Sequence, residues 1–438
     1  MIIHNQTILQ LISSEYYLSE IQEITTLLEQ QKTFSFPVLN NGLFPAAEVI
    51  SDTEYTGYGN VWVRDNIYLA YAHYFCGQTN VATKTVKTLR QYFEKHQSRF
   101  LNIINGTVNK DEIMQRPHIR FNGKTLEEIA QEWGHAQNDA LGYFVWFYCK
   151  LAREKILTPN FNELEIIGLI ACYFEAISYG EDEDSGHWEE DPKIEASSMG
   201  VVIAALTELK MLLQETSLTD ELKCNNKVIN IYFLEQLIKK GETAIEQILP
   251  AECIQETPKK RLYDSALLFL IYPLQIIQGE MANKILDNVI NNLQGDYGIR
   301  RYLKDSFWCR DYKDVPPEIR TTLSVEREQW FQDNNRELQL GEEAQWCIFD
   351  PIISAIFGLK FQQTKQPQYL EQQTQYLNRS LGQITASDSP FGGFKCPELY
   401  YLEKGVYVPG DATPLLWTQA NLKVALRMME KSLSLQPC

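Results

Sequence analysis

Apolar residues along this chain recur at steps of three and four. Ile8, Leu11, Ile12, Leu18, Ile21, Ile24 and Leu28 set the pattern, with polar residues between them. That is the period of an amphipathic helix. The same spacing returns near 66–76, 80–95, 137–153, 161–179, 195–214, 226–248, 263–277, 281–293, 343–357, 365–381 and 412–430. It predicts about twelve helices in an all-α protein. Leu141–Leu151 and Met199–Leu209 are apolar nearly all round, which marks interior helices. Sustained two-residue alternation, low-complexity tracts, convincing repeats and linkers are absent from the sequence, so residues 1–438 read as one domain.

The connections add the architecture. Gly77-Gln78-Thr79-Asn80, Thr158-Pro159-Asn160, Gln278-Gly279 and Phe357-Gly358 predict tight turns, with Pro159 placed to start a helix. Between them run long connections near 35–65, 97–136, 181–194, 249–262, 295–342 and 382–411. Up-and-down helices put alternate connections at opposite ends, so six long loops gather at one end. Twelve helices so arranged form a double-layered ring, an (α/α)6 barrel. Function usually lies in loops held by a rigid scaffold, and the long-loop end is where an active site is expected.

Charge and cysteine usage narrow the partners. A net charge of −17 argues against nucleic acid, which is bound by basic stripes, and against anionic membrane surfaces. No stretch approaches the roughly 20 uncharged apolar residues of a membrane span. The start, Met1-Ile2-Ile3-His4-Asn5, lacks the charged and apolar regions of a secretory signal; a cytoplasmic location is expected. The nine cysteines form no Cys-x-x-Cys or Cys-His cluster and read as buried thiols, so no redox or zinc chemistry is expected. Asp182 and Asp184 lack the remaining ligands of a calcium loop, and no metal is expected. Gly123-Lys124-Thr125 and Gly57-Tyr58-Gly59 each lack the rest of a phosphate-binding loop. No cofactor is implied.

Tryptophans and charged groups concentrate in the long loops: Trp62-Val63-Arg64-Asp65, Glu132-Trp133 through Asp139, Gly186-His187-Trp188-Glu189-Glu190-Asp191, Gly298 through Tyr302 with Trp308, and Cys396-Pro397-Glu398-Leu399-Tyr400-Tyr401. Flat aromatic faces pack on sugar rings, while carboxylates and arginines pair with hydroxyls; a pocket needs few such groups, provided they converge. Glu189 lies on the third long loop and Glu398 on the sixth, halfway round a ring of six. Two facing carboxyl groups are what glycoside hydrolysis requires. Glu189 adjoins Glu190, Asp191 and Trp188, and like charges with partial burial raise a carboxyl pKa; it suits the acid. Glu398 has no acidic neighbour in sequence and suits the base. Facing positions across a wide barrel favour the longer carboxyl separation of inverting enzymes, roughly 6.5–9.5 Å.

Plainer readings compete. Trp188-Glu189-Glu190 also fits a solvated acidic loop, Arg64-Asp65 a helix-start ion pair, His187 a loop filler and Trp146 a core residue.

Together, Trp62–Asn66, Trp133–Asp139, Trp188–Gly200 with Ala196-Ser197-Ser198-Met199-Gly200, Leu293–Asp305, and Pro397–Tyr401 followed by Trp417 resemble glycoside hydrolase family 15, the glucoamylases. The closer likeness is to the glucoamylase-like domain of phosphorylase kinase α and β subunits, over about residues 55–430. The resemblance implies an (α/α)6 barrel and an inverting exo-hydrolase with Glu189 as general acid and Glu398 as general base. It implies that Arg64 and Asp65 hold the terminal glucose and that Arg301 holds this sugar or its neighbour. Trp62, Trp133 and Trp188 would line the first subsites, Glu190 would bond beyond the cleaved linkage, and Trp417 would sit near the base. Pro397-Glu398-Leu399-Tyr400 follows the kinase-subunit form, which leaves Glu403 as a second candidate base. The expected substrates are short α-glucosides, malto- or isomalto-oligosaccharides. The alternatives are an enzyme acting on trehalose and a catalytically silent sugar-binding regulatory domain.

Overall fold

The computed structural model describes residues 2–48, 51–216, 222–224, 227–320 and 324–435. Twelve helices build its body: α1 (Leu18–Gln30), α2 (Val63–Phe75), α3 (Thr79–Lys95), α4 (Asn138–Arg153), α5 (Phe161–Ala176), α6 (Ala196–Glu215), α7 (Ile231–Ile248), α8 (Leu268–Ile271), α9 (Gly279–Leu293), α10 (Asp350–Thr364), α11 (Pro367–Gly382) and α12 (Leu416–Leu433). Even-numbered helices touch in chain order, and α12 returns to α2, closing an inner ring. Each odd-numbered helix backs an even one, α1 lying on α12 and the others on the helix before them. This is an (α/α)6 barrel.

Burial explains the layering. Every side chain of α4 from Asn138 to Cys149 is buried, as is that of α6 from Ala196 to Leu206. Such helices have neighbours on all sides. Outer helices bury one stripe: Ala282, Ile285, Leu286, Val289 and Leu293 in α9. By length and composition α6 is apolar enough to cross a membrane, yet 78% of its most apolar window is buried inside the protein; its apolarity serves the ring. The close approach of α4 and α6 requires Gly142, where a Cβ would stand 3.0–3.2 Å from Val201.

Several expected boundaries move. The helix expected at 263–277 shrinks to a 3-10 turn, Ser265–Leu267, and the four residues of α8. Pro273 cannot sit inside a helix and pushes Tyr272 into extended backbone, φ −148°. The one expected from 226 starts at Ile231, because Leu222–Cys224 and Lys227–Ile229 pair as a hairpin. That expected from 343 starts at Asp350, with Pro351 in its first turn. Phe357-Gly358 is no turn: Gly358 lies within α10, where a Cβ would meet Gln373 at 2.5 Å and Met428 at 2.7 Å. The first periodic stretch divides into Gln6–Leu9 and α1.

Six long connections, 31–62, 96–137, 177–195, 249–264, 294–349 and 383–415, lead from outer to inner helices. Short strands that the sequence pattern did not show stitch them together. Val61–Trp62 pairs with Arg120–Asn122, joining the first two loops. Gln345–Trp346 pairs with Leu399–Glu403, joining the fifth and sixth, and Ala47 bridges Leu415 between the first and the last.

Candidate active site

The stitched loops enclose a cavity of about 710 Å³ at the long-loop end. Trp62, Arg64, Asp65, Trp133, Trp188, Glu189, Arg301, Glu398 and Trp417 all line it. Glu190 does not. Nor does Glu403, which lies at the far end of the strand that Leu399 begins.

Glu189 is held by its surroundings. Trp133 Nε1–H donates to Oε2 at 2.8 Å and Arg64 Nη2 to Oε1 at 3.4 Å. Its backbone is left-handed, φ +60°, a conformation costly for a residue with a Cβ that persists where neighbours over-determine it. The neighbours do so. Arg64 Nη1 donates to the Gly186 carbonyl at 3.3 Å, and Trp188 Nε1–H donates to Asp264 at 3.0 Å. Arg64 itself is anchored by Asp139 at 2.6 Å and Gln137 at 2.9 Å.

Glu398 precedes the strand Leu399–Glu403 and is 4% exposed. One side-chain donor, Tyr58 Oη–H, reaches Oε1 at 2.8 Å. Burial pushes its carboxyl up to about 8; Tyr58 and Arg301 oppose the rise, while Asp65 and Glu189 add to it. Its lack of acidic neighbours in sequence therefore does not carry over into the fold. Asp65 is similar: burial raises it to about 7 against the pull of Arg64.

Arg301 lines the cavity beside Trp188. Nε and Nη2 clasp Asp305 at 2.6 Å each, and the guanidinium lies 4.9–5.1 Å from the rings of Trp188, Phe307 and Trp346. Glu190, for which a bond to sugar is expected, is not among the residues that line the cavity. It faces away from the cavity and accepts from Arg261 at 2.8 Å, Arg301 at 3.1 Å and the Tyr302 hydroxyl. Those cations hold it well below the usual carboxylate range despite burial. Trp417 stacks on Phe269 at 5.5 Å and leans on Tyr68 at 4.7 Å. Trp62 and Trp133 meet edge to face, with the Arg120 guanidinium 4.9 Å and 4.1 Å from their rings.

Other parts of the sequence reading find structural uses. Asp182 pairs with Arg116 at 2.8 Å and Lys110 at 3.0 Å, and Asp184 accepts from the Asn138 N–H and from Ser198. Among the described residues no group of three or more His, Cys, Asp or Glu is arranged to hold a metal. His187 is buried at the cavity floor between Tyr143 and Ser197. Tyr58, Arg120 and Asp264 were missed. Tyr58 had a signal, lying four residues before Trp62 in the first loop's motif; Arg120 and Asp264 had none, since only the fold brings them to Trp133 and Trp188.

A closed double ring whose mouth brings Glu189 and Glu398 together with Arg64, Arg301 and a set of tryptophans has the form of the glycoside-hydrolase type of (α/α)6 barrel. More narrowly, the family described as glycosyl hydrolases family 15 matches residues 26–392, and the chain belongs to it. That match stops short of Glu398. Among solved structures, a glycosidase variant in complex with glucose is similar with a TM-score of 0.65 at 16% identity, covering 96% of this chain and 98% of that one. The glucoamylase of Saccharomycopsis fibuligera follows at 0.58 and 13%, covering 97% and 98%. Both likenesses show the fold. Among curated proteins, the probable phosphorylase b kinase regulatory subunit alpha of Caenorhabditis elegans is 26% identical over 403 residues, 83% of this chain and 30% of that protein. Its Drosophila melanogaster counterpart is 25% identical over 336 residues, 70% and 24%. The chain thus spans less than a third of the length of these relatives.

Proposed function

We propose that the protein is an inverting, exo-acting glycoside hydrolase that releases glucose from the non-reducing end of short α-glucosides, without a cofactor. The observation that carries this reading is that Glu189 and Glu398 open onto one cavity, each held by a donor of its own, Trp133 and Tyr58. Glu189 protonates the leaving oxygen and Glu398 activates water. Arg64 and Asp65 hold the terminal sugar, Arg301 faces it, and Trp62, Trp133, Trp188 and Trp417 supply apolar faces. Glu190 acts through Arg301.

The test compares Glu189→Gln and Glu398→Gln on maltose or isomaltose and on an aryl α-glucoside with a good leaving group. A leaving group that needs no proton makes the general acid dispensable. Glu189→Gln should lose turnover on maltose and keep most of it on the aryl glucoside, whereas Glu398→Gln loses both. The opposite result exchanges the roles. Retention of maltose hydrolysis by both variants removes the proposal.

The second reading is a sugar-binding regulatory domain without turnover. Two features favour it: the kinase-subunit relatives and the burial that pushes the Glu398 carboxyl up to about 8, which opposes its ionisation at neutral pH. Calorimetric binding of glucosides, with no glucose released from a broad panel, identifies it.

A further inference from the structure

The floor of the cavity carries a polar chain that neither carboxyl's proposed role uses. His187 is 3% exposed and directly precedes Trp188-Glu189. Its Nε2 lies 3.0 Å from the Tyr143 hydroxyl on α4, and its Nδ1 lies 3.1 Å from Ser197 Oγ on α6. Both ring nitrogens are therefore satisfied, one on each of two neighbouring inner helices. Ser197 in turn donates to Glu252 at 2.6 Å, and Tyr143 meets the Tyr68 hydroxyl at 2.9 Å. The imidazole stacks on Phe269 at 5.5 Å, interplanar 16°. A loop filler has no need of two directional bonds and a stacked face in a fully enclosed place.

The segment above it shows what these bonds hold. Gly186, Trp188 and Glu189 each have their own polar tether, to Arg64, Asp264 and Trp133. Glu189 stands at φ +60°. Gly186 also has a positive φ, +51°, and a Cβ there would collide with Glu195. Two left-handed residues three apart bracket His187 and Trp188 in a tight reversal, with His187 bonded to Tyr143 and Ser197 and Trp188 to Asp264. His187 is the one that reaches both α4 and α6.

We infer that His187 is a positioning residue: bonded to Tyr143 and Ser197, it fixes the Gly186–Glu189 reversal and so aims the Glu189 carboxyl at the Trp133 indole and the cavity. The inference rests on the role proposed for Glu189, but one readout needs no turnover. The indole N–H of Trp133 donates directly to Glu189, so its proton resonance, assigned by loss in Trp133→Phe, reports where that carboxyl points.

The variants are His187→Leu, which removes both bonds, and His187→Gln, whose amide replaces the contact at the Nε2 position. His187→Leu should move the Trp133 indole resonance and lower kcat on maltose by about 100-fold with KM nearly unchanged, the scale of an ångström-size misplacement of a reacting group. His187→Gln should recover part of both and is the variant to use should the leucine form not fold. An indole resonance and kcat that stay at wild-type values in either folded variant overturn the inference. A resonance that moves in a protein whose wild type has no turnover upholds the positioning role and removes the acid role of Glu189 instead. A drop in kcat with the resonance unmoved overturns the positioning role and leaves the acid role standing.

Discussion

The two glutamates of the mouth are built in opposite ways. Glu189 sits on a strained reversal, partly open to the cavity with its side chain 16% exposed, and is restrained by contacts from several loops. Glu398 sits at the start of a regular strand, 4% exposed, with its backbone paired to Cys347 and Ala412 and one side-chain donor. The first is positioned by polar tethers and the second by the sheet. A strand places a backbone cheaply but leaves the carboxyl in a dry setting, and the dryness shows as the rise to about 8. Tethers supply donors to the carboxyl itself but require many partners to agree.

The contrast breaks most visibly on removal of either carboxyl. Glu189→Gln and Glu398→Gln should each lower kcat on maltose by about 10³–10⁴-fold, the upper range for general acid–base groups, as measured by glucose release. Comparable loss from two differently built sites supports a working pair; loss from one alone breaks the pairing. Removing a tether shifts the effect to stability. Arg64→Leu leaves Asp139, 0% exposed, without its 2.6 Å partner. It should cost about 3–5 kcal/mol, as broken buried pairs do, read from denaturant midpoints. A cost near zero would mean that the tethers around Glu189 are redundant.

Tyr58→Phe addresses the other side. It removes the one side-chain donor to Glu398 among the described residues, which should lower kcat by about 10-fold, the scale of a hydrogen bond to a charged group. It should also move the ionisation of Glu398 further upward, because Tyr58 opposes the rise. The pH–kcat profile should shift toward alkali by the same step, and an unmoved profile would detach Tyr58 from the base. The smallest effect concerns stability against pH. Burial lowers His135 to about 2 and His187 to about 4. A histidine held neutral in the fold contributes stability above its unfolded pKa of 6.5, and that contribution fades as pH falls toward the folded value. Glu398 and Asp65, raised to about 8 and about 7, contribute below their ordinary carboxyl range and fade as pH rises through those values. Between about pH 4.5 and 6.5 the two histidines' gain and the two carboxyls' loss offset each other, so thermal midpoints should be nearly level there and fall from about pH 6.5 to 8. Glu398→Gln should remove part of the alkaline fall; a variant whose alkaline limb matches wild type contradicts the buried-carboxyl account.

The helical periodicity made most of the barrel legible, because inner helices need apolar residues all round and outer ones a stripe. What it hid was local chemistry that overrides period. Pro273 cut α8 to one turn inside a convincing apolar run. Strands of two residues, such as Val61–Trp62, are too short for alternation to register. In the mouth, the residues on the loop motifs were readable, and the helpers on other elements were not. Glu190 shows the limit best: adjacent to Glu189 in sequence, it faces the other way because αL backbone at 189 reverses the chain between them. Tyr58 stood in Gly57-Tyr58-Gly59, a tripeptide weighed only as a phosphate loop.

Ring closure has a consequence for how the molecule is made. The inner ring is completed only when α12 docks beside α2, some 340 residues after α2 leaves the chain's growing end. At about 5–20 residues per second of synthesis, the barrel stands open for tens of seconds. During that interval Tyr68, and Phe269 once it is made, lack the Trp417 ring that packs on them in the finished fold. The apolar ring faces beneath the mouth, like the α1 stripe of Ile21, Ile24 and Leu28 that packs on Leu422 and Leu426, thus stay uncovered in the nascent protein until the twelfth helix arrives.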